Sequence, residues 1–263
     1  MGVSEADMMG TGAGLASCGK IPFASTFAIF ATGRAWEQVR QSIAYPKLNV
    51  KIVASHGGIT VGEDGASHQS VEDIAIMRVI PNMTVIVPCD GIETHSVIYE
   101  IVKYNGPVYV RVARAKFPVI LPEDYKFEIG KGVVVRDGID ASIIACGLMV
   151  SHAIQAADIL EKDGVKTRVI NMSTIKPIDR DLIIRTAKET GAVVTAEEHS
   201  IIGGLGEAVA GVLAEECPVP VKRIGIKDIF GQSGLAEELL KHYGLMPNDI
   251  ANAVKETLAK KQK

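Results

Sequence analysis

Short β-branched runs alternate along this chain with longer segments of helical spacing, and this alternation restricts its possible folds more than any other feature. Such a pattern is typical of parallel sheets with helices on both faces. The runs predicted as strands are residues 50–54, 84–87, 108–112, 142–145, 167–171, 192–196 and 221–224. The segments predicted as helices are residues 71–80, 92–104, 151–163, 179–189, 204–216 and 235–242. We therefore predict an α/β fold with mainly parallel sheets flanked by helices.

A break in the alternation, at residues 118–131, contains two prolines and a run of charges. We interpret it as a linker between two domains, at residues 1–120 and 126–263. A chain of 263 residues, of which 47% are hydrophobic, is long enough to give each domain a core. One antiparallel strand in the second domain would fit this prediction, since mixed sheets are common.

Charge and cysteine usage exclude several classes of function. A formal net charge of −3 and a pI of about 6.1 give no reason to expect a nucleic-acid partner or an anionic membrane. No apolar run approaches about 18 residues, and the acidic N-terminus does not have the pattern of a signal peptide. The four cysteines form no CxxC pair, which argues against zinc and suits a reducing compartment. We predict a cytoplasmic protein with no metal site of its own.

The first 36 residues contain a carboxylate and an aromatic cluster with two possible roles each. Ser4 has the residue type of a helix cap, which would place Glu5 in the first turn. Glu5 there either favours the helix dipole or serves a site. Phe27 and Phe30, three residues apart, are predicted to share a helix face. They either pack in the core or form a wall against a flat heterocycle.

A glycine-rich loop, SHGGITVGEDGASHQ, follows one predicted strand and leads into a helix. It carries His56, Asp64 and His68, a combination that suits proton transfer or recognition of hydroxyl groups, although a polar surface loop would look similar. The next strand ends in Arg111 and Arg114, each of which suits a structural ion pair or a clamp on phosphate or carboxylate. In the second half, the pattern EEHSIIGGLGE by itself indicates an ordinary crossing from strand to helix.

Together these segments resemble the transketolase family. GVSEADMMG, TFAIFATGRAWEQVR, SHGGITVGEDGASHQSVEDIAIMRVIPN and VRVARAKFP occur in the order found in its pyrimidine-binding domain. The remainder, from about residue 126, resembles the transketolase C-terminal domain, with EEHSIIGGLGE as its recognisable loop. The resemblance implies transfer of a two-carbon ketol unit between sugar phosphates of the pentose phosphate pathway, with thiamine diphosphate and magnesium as cofactors.

The resemblance also implies roles for particular residues. Glu5 matches the catalytic glutamate that hydrogen-bonds the aminopyrimidine ring of the cofactor, and Phe27 and Phe30 match the aromatics that hold this ring. His56 and Arg114 match residues that bind the sugar phosphate. The implied role of Asp64 is to bind a substrate hydroxyl, and His68 matches a histidine beside the reacting carbon. Glu5, His56 and His68 are thus the implied catalytic residues.

Three departures from the family pattern set further expectations. Larger transketolases have a tyrosine where this chain has Gly33. Gly-Asp-Gly, the family's motif for magnesium and the diphosphate, does not occur in this sequence. We therefore expect an N-terminal partner subunit that carries the diphosphate-binding domain and most of the magnesium ligands, in a two-fold assembly. The match also begins inside the pyrimidine-binding domain, so we expect that domain to lack its usual first strand and helix.

Two other functions remain compatible with the sequence. One is a related thiamine enzyme, such as a deoxyxylulose-phosphate synthase or a dehydrogenase beta subunit. The other is a non-catalytic, transketolase-like interaction subunit, for which Gly33 and the incomplete first domain are the main arguments. His56, Asp64 and Arg114 together favour an enzyme that acts on sugar phosphates.

Overall fold

The computed structural model describes residues 1–261 and contains two sheets of five strands within that range. The strands are β1 (Phe23–Ala24), β2 (Lys51–Ala54), β3 (Thr84–Ile86), β4 (Val108–Arg111), β5 (Val133–Arg136), β6 (Ala141–Ala145), β7 (Thr167–Asn171), β8 (Thr174–Lys176), β9 (Val193–Ser200) and β10 (Val221–Ile226). The first sheet has the order β1-β2-β4-β3-β8, and the second has the order β10-β9-β6-β7-β5. Neighbouring strands are parallel except for the pairs β3–β8 and β5–β7. The predicted fold class is confirmed.

Helices cover the sheets, as expected for buried parallel strands. They are α1 (Glu5–Ser17), α2 (Trp36–Gln38), α3 (Asp73–Arg78), α4 (Gly91–Lys103), α5 (Met149–Lys162), α6 (Arg180–Thr190), α7 (Leu205–Glu216), α8 (Ala236–His242) and α9 (Pro247–Lys261). Two π-helical segments, Phe30–Arg34 and Val39–Ala44, flank α2. Within residues 1–261, no helix is both long enough and apolar enough to cross a membrane.

Side-chain caps decide where two of the helices begin. The Asp90 carboxylate accepts a hydrogen bond from Glu93 N at the start of α4, and Asp179 does the same for Leu182 N at the start of α6. The cap predicted at Ser4 is wrong, because the Ser4 side chain makes no capping hydrogen bond. Met8 N instead donates to the Ser4 backbone oxygen at 3.0 Å. Glu5 still begins α1.

All the predicted strands and helices occur, with ends shifted by a few residues. The strands β1, β5 and β8 and the helix α9 are additional to those predicted. Phe27 and Phe30 were predicted to lie on one helix face, but Phe27 precedes the helical segment. It pairs with Ser55 in an isolated β-bridge, and the π-helical segment begins at Phe30.

Strand β8 belongs by sequence to the second half of the chain but extends the first sheet. Val85 and Ile86 of β3 pair with Lys176 and Thr174. The Lys176 ammonium group donates to the backbone oxygens of Arg78 and Ile80, at 2.9 and 2.6 Å. The division near residues 118–130 therefore does not separate the two sheets completely: the chain passes that point and later returns to the first sheet.

Candidate functional site

The predicted site residues lie beyond the carboxyl ends of neighbouring parallel strands. His56 follows β2 by two residues, and Arg114 follows β4 by three. The loop that starts at His56 contains the short helical segment Ile59–Asp64 and then reaches His68. Because β2 and β4 are parallel and adjacent, both loops emerge at the same edge of the sheet, which is where open α/β sheets bind ligands.

Three rings pack around Phe27. The imidazole of His56 stacks on Phe27 with ring centroids 3.8 Å apart and an interplanar angle of 9°. Phe30 is nearly parallel to Phe27, with centroids 5.9 Å apart. His68 meets both phenylalanine rings edge-on, at 6.2 and 5.3 Å. These four side chains are partly exposed, so they form an aromatic wall at the surface instead of filling the core.

Arg34 joins Glu5 to this aromatic wall. Its guanidinium carbon lies 4.3 Å from the centroid of the Phe30 ring, and its Nη1 atom lies 3.7 Å from Glu5 Oε2. The Arg34 side chain is 56% exposed and that of Glu5 is 10% exposed. Arg34 ends the π-helical segment that starts at Phe30, and such segments occur often at functional sites. The sequence analysis did not single out Arg34, although a position four residues after Phe30 on a helical segment was a signal.

Arg114 and Asp64 form the polar end of the cluster. Arg114 Nη1 lies 3.3 Å from Asp64 Oδ2 and 3.9 Å from Glu63 Oε2, and it donates to the Val61 backbone oxygen at 2.6 Å. The Arg114 side chain is 43% exposed and that of Asp64 is 39% exposed. Exposed pairs of this kind hold their partners weakly, so Arg114 remains able to bind an anion.

His56 is held in an unusual backbone conformation, with φ of +61°. Its Nδ1 atom and the Ser55 hydroxyl are 2.8 Å apart. Burial and then the nearby Arg114 charge lower the pKa of His56 from 6.5, and Asp64 partly opposes them. His56 is therefore neutral at pH 7, with one ring nitrogen able to accept a hydrogen bond.

The structure thus brings the predicted site residues into one group. Contacts run from Glu5 through Arg34 to Phe30, then through Phe27 to His56 and His68, and Arg114 with Asp64 lies beside His56. Gly33 is exposed next to Arg34, with open space beside it. The roles of these residues remain predictions, because proximity alone does not assign chemistry.

The arrangement fits part of a thiamine cofactor. A flat ring has an aromatic wall to stack on and a carboxylate, Glu5, beside it. The chain's own residues therefore fit the ring end of such a cofactor. Among residues 1–261, no group of three or more His, Cys, Asp or Glu side chains is arranged to hold a metal ion.

A second group of charged residues lies beneath the site, between the two sheets. Arg111 Nε is 3.2 Å from Asp73 Oδ2, with side chains 5% and 0% exposed, and the Tyr109 hydroxyl donates to the same oxygen at 2.6 Å. Arg111 also donates to the Glu198 backbone oxygen at 2.8 Å. Of the two roles considered for Arg111, the structure therefore supports a structural ion pair, whereas Arg114 faces the site.

The pattern EEHSIIGGLGE is more than an ordinary crossing. Glu197 accepts hydrogen bonds from Leu205 N and Gly206 N, at 2.7 and 2.8 Å, and so binds the start of α7. Glu198 Oε1 accepts from Thr60 N of the first domain at 2.6 Å. Burial raises the pKa of both carboxyl groups, although nearby positive charge and hydrogen bonds to the carboxylates oppose the rise.

His199 adds another bond between the domains. Its Nε2 atom accepts a hydrogen bond from Ala75 N at 3.3 Å, so the proton resides on Nδ1, which donates to the Ser200 backbone oxygen at 2.7 Å. Glu198 and His199 are buried and bonded to backbone groups of the first domain, so they connect the two domains. Sequence spacing gave no signal for this, since the partners lie more than a hundred positions away.

Comparison with known proteins gives two family matches that together span most of the chain. Residues 1–119 match the model of the transketolase pyrimidine binding domain, and residues 130–250 match the transketolase C-terminal domain. A relative from Methanocaldococcus jannaschii, described as a putative transketolase C-terminal section, is 55% identical over 262 residues, which cover 98% of this chain and 82% of the relative. A 6-deoxy-6-sulfo-D-fructose transketolase subunit from a Clostridium species is 45% identical, over 99% of this chain and 81% of that protein.

A solved structure described as a split gene transketolase, an inactive beta4 tetramer, superimposes with a TM-score of 0.95. It is 51% identical to this chain, and the match covers 99% of this chain and 84% of that one.

Proposed function

This chain belongs to the transketolase family, and on that premise we propose that it is the C-terminal subunit of a split enzyme that transfers a two-carbon ketol unit between sugar phosphates. It would act in the cytoplasm with an N-terminal subunit, in a two-fold assembly, as an enzyme of the pentose phosphate pathway. The observation that carries the proposal is the single surface group that contains Glu5, the aromatic wall and the Arg114–Asp64 pair.

Each part of this group suits one part of the reaction. Glu5 would hold the pyrimidine ring of thiamine diphosphate by a hydrogen bond, and Phe27 and Phe30 would pack against that ring. When bound, the cofactor would supply a carbon nucleophile. His68, edge-on to both phenylalanines, would hold or transfer a proton beside the reacting carbon.

The polar end of the group suits the sugar phosphate. Arg114 offers a guanidinium group to the terminal phosphate, and neutral His56 adds a hydrogen bond. Asp64 binds a substrate hydroxyl and so favours one stereochemistry. Fixed partners at both ends of the sugar bring its carbonyl to the reacting position, which is a large part of the rate gained in two-substrate reactions.

Magnesium and the diphosphate are assigned mainly to the partner. This sequence has no Gly-Asp-Gly, and the described residues do not form a metal-binding group. Ring contacts and one hydrogen bond seldom outweigh the entropy lost when a small ligand is fixed. We therefore expect calorimetry to detect no micromolar binding of thiamine diphosphate by this chain alone with magnesium present, and clear binding after the N-terminal subunit is added. Micromolar binding by the isolated chain would contradict the division of the site.

One relative's name favours a second candidate substrate. The protein from Clostridium acts as a subunit of a transketolase for 6-deoxy-6-sulfo-D-fructose, whose terminal group is a sulfonate. Sulfonate and phosphate are both tetrahedral oxyanions that suit an arginine and a histidine. The pair Arg114–His56 therefore selects a terminal oxyanion more strongly than it selects one particular sugar.

Reconstitution tests these alternatives directly. The chain is mixed with its N-terminal partner, thiamine diphosphate and magnesium, and assayed with xylulose 5-phosphate as donor and ribose 5-phosphate as acceptor. In two further assays, 6-deoxy-6-sulfo-D-fructose or pyruvate replaces the donor, each with an aldose phosphate as acceptor. Turnover of the two sugar phosphates supports the proposal. Turnover of the sulfosugar alone changes the substrate class, and pyruvate-dependent turnover indicates a related thiamine enzyme. Cofactor binding without turnover of any substrate would indicate a non-catalytic subunit.

A further inference from the structure

Gln69, which directly follows His68, connects the loop of the candidate site to the second domain. Its side-chain amide nitrogen lies 3.2 Å from the Ile59 backbone oxygen, 3.1 Å from that of Gly62 and 2.9 Å from that of Gln232. All three neighbours are acceptors, so this end of the side chain is the amide nitrogen. The two N–H donors of the amide share these three acceptors, and we refer to the three contacts together as the Gln69 clasp. Gln69 is 3% exposed, although the histidine before it faces the site.

The segment of the second domain that receives Gln69 fits closely against it. A Cβ atom added to Gly231 would lie 1.8 Å from Gln69 Oε1, so only glycine leaves room for the amide in its present position. Two glycines of the loop also lie close to this segment. A Cβ atom on Gly65 would meet the Ser233 hydroxyl at 2.5 Å, and one on Gly62 would meet the Gly234 backbone oxygen at 3.4 Å. The segment thus packs along the loop from Gly62 to Gln69.

The segment 229–234 is itself held by the rest of the second domain. Tyr243, which follows α8, donates its hydroxyl proton to the Phe230 backbone oxygen at 3.1 Å, and its side chain is buried. Leu239 of α8 packs against Gly234. Helix α8 and Tyr243 therefore hold residues 229–234 in place, and these residues in turn contact Gln69 in the loop.

We propose that Gln69 is a positioning residue: through the clasp, residues 229–234 of the second domain hold the loop that carries Asp64 and His68 in its reactive geometry. The inference rests on the proposed function for the roles of those two side chains. It gives the second domain a direct part in catalysis, in addition to its packing against the first. An error of about 1 Å in the position of a reacting group costs about 100-fold in rate, so the clasp matters for turnover more than for binding.

Four variants test the clasp from both sides: Gln69→Met, Gln69→Ala, Gly231→Ala and the double variant Gln69→Ala/Gly231→Ala. Gln69→Met keeps the length of the side chain and removes its donors. Gly231→Ala leaves Gln69 intact but forces its amide away, since Gly231 lies outside the positive-φ region and the three atoms nearest to the new methyl group all belong to Gln69. Gln69→Ala/Gly231→Ala relieves that contact. Gly211→Ala, in α7 with open space around it, is the matched control for the added methyl group. Ser173→Ala, which removes a buried hydrogen bond to Glu93, is the control for lost stability.

In the reconstituted complex we expect Gln69→Met and Gly231→Ala to lower kcat by about 10- to 100-fold, with KM changed by less than about threefold. We expect the double variant to be no worse than Gln69→Ala alone, because the two changes act through one contact. The control variants should stay within about twofold of the unmodified enzyme in kcat. A kcat within about twofold for both Gln69→Met and Gly231→Ala would overturn the proposal, as would strictly additive losses.

Hydrogen exchange of the isolated chain separates this inference from the proposed function. The amides of His68 and Gln69 donate to the Gly65 backbone oxygen at 3.0 Å, so their exchange reports on the loop. We expect both amides to exchange at least about tenfold faster in Gln69→Met and Gly231→Ala than in the controls. If the unmodified complex turns over no sugar phosphate, the proposed function fails, and exchange alone decides on the clasp. Unchanged exchange in both variants would refute the clasp whatever the activity.

Discussion

Two arginine–carboxylate pairs in this molecule, Arg34–Glu5 and Arg111–Asp73, differ in almost every physical respect. The first lies at the surface beside the aromatic wall, with 3.7 Å between its atoms and a largely exposed arginine. The second lies between the sheets at 3.2 Å, almost fully buried, and Tyr109 donates to the same carboxylate. Burial makes a pair costly to break, whereas solvent makes a pair easy to exchange for a ligand. The two pairs therefore differ in how readily a ligand could replace the arginine.

The largest effect should come from breaking the buried pair. Arg111→Met leaves the Asp73 carboxylate buried with only the Tyr109 hydroxyl near it, and losing one partner of a buried pair typically costs about 3–5 kcal/mol. Urea denaturation of the isolated chain measures this loss as a lower free energy of unfolding. Arg180→Met, at an exposed pair with Glu215 and Glu216, is the control and should leave the unfolding midpoint nearly unchanged. Equal midpoints for the two variants would mean that the buried pair contributes no more to stability than an exposed pair does.

The next effect concerns the exposed pair and appears in activity. Glu5→Gln keeps the shape of the side chain but removes the carboxylate that we propose supports proton transfer at the cofactor ring. We expect turnover of the reconstituted complex to fall by about 100-fold or more, with the unfolding midpoint of the chain unchanged. Steady-state kinetics and urea denaturation on the same preparation test both parts. Turnover within a few-fold of the unmodified enzyme would make Glu5 only a carboxylate at a helix start.

The next prediction concerns the buried group and the pH dependence of the chain's stability. Burial raises the pKa of Glu198 above 4.5, with Arg111 opposing it, so the folded chain ionises this group later than the unfolded chain does. Its contribution to stability is complete below pH 4.5 and is lost as the pH rises towards the folded-state pKa.

Glu198→Gln should remove this loss, because the glutamine oxygen still accepts the hydrogen bond from Thr60 N. We expect the variant and the unmodified chain to have similar stability near pH 4.5, and the variant to become the more stable of the two as the pH rises towards neutrality. Urea midpoints from about pH 4 to about pH 8 give the difference. Glu128→Gln, at an exposed position, is the matched control. A relative stability that falls with rising pH would mean that Arg111 requires the Glu198 charge.

The smallest effect should come from removing Arg34. An exposed ion pair and an exposed cation–π contact are each worth less than about 1 kcal/mol, so Arg34→Ala should barely change the unfolding midpoint. The guanidinium group covers the Phe30 ring and approaches Glu5, which are the groups proposed for the cofactor ring. We therefore expect calorimetry of the reconstituted complex to show cofactor binding tighter by up to about fivefold. Arg40→Ala, at another exposed arginine, controls for the lost charge. Weaker binding would instead make Arg34 a cofactor contact.

How much was predictable from the sequence differs between these two regions. The alternation of strands and helices gave the α/β class, and resemblance to a family gave Glu5, Phe27, His56 and the other residues of the exposed group. In the buried group, a structural ion pair was one of the two roles considered for Arg111, but the bonds from Thr60 to Glu198 and from Ala75 to His199 were not predicted, because each spans more than a hundred residues. Local pattern cannot encode such pairing. Arg34 and Gln69 were missed for the same reason, since their importance depends on which partners the fold brings near them.

Strand β8 has a consequence for how the chain forms during synthesis. The first sheet is complete only when residues 174–176 pair with β3, about ninety positions earlier in the chain. Contacts of such separation form late and slowly, because a long loop must close before they are made. A growing chain leaves the ribosome N-terminal end first, so the edge of β3 stays unpaired while the linker and three further strands are still being made. During that interval the nascent first domain offers an open strand to other chains, and its protection depends on how quickly the second half follows.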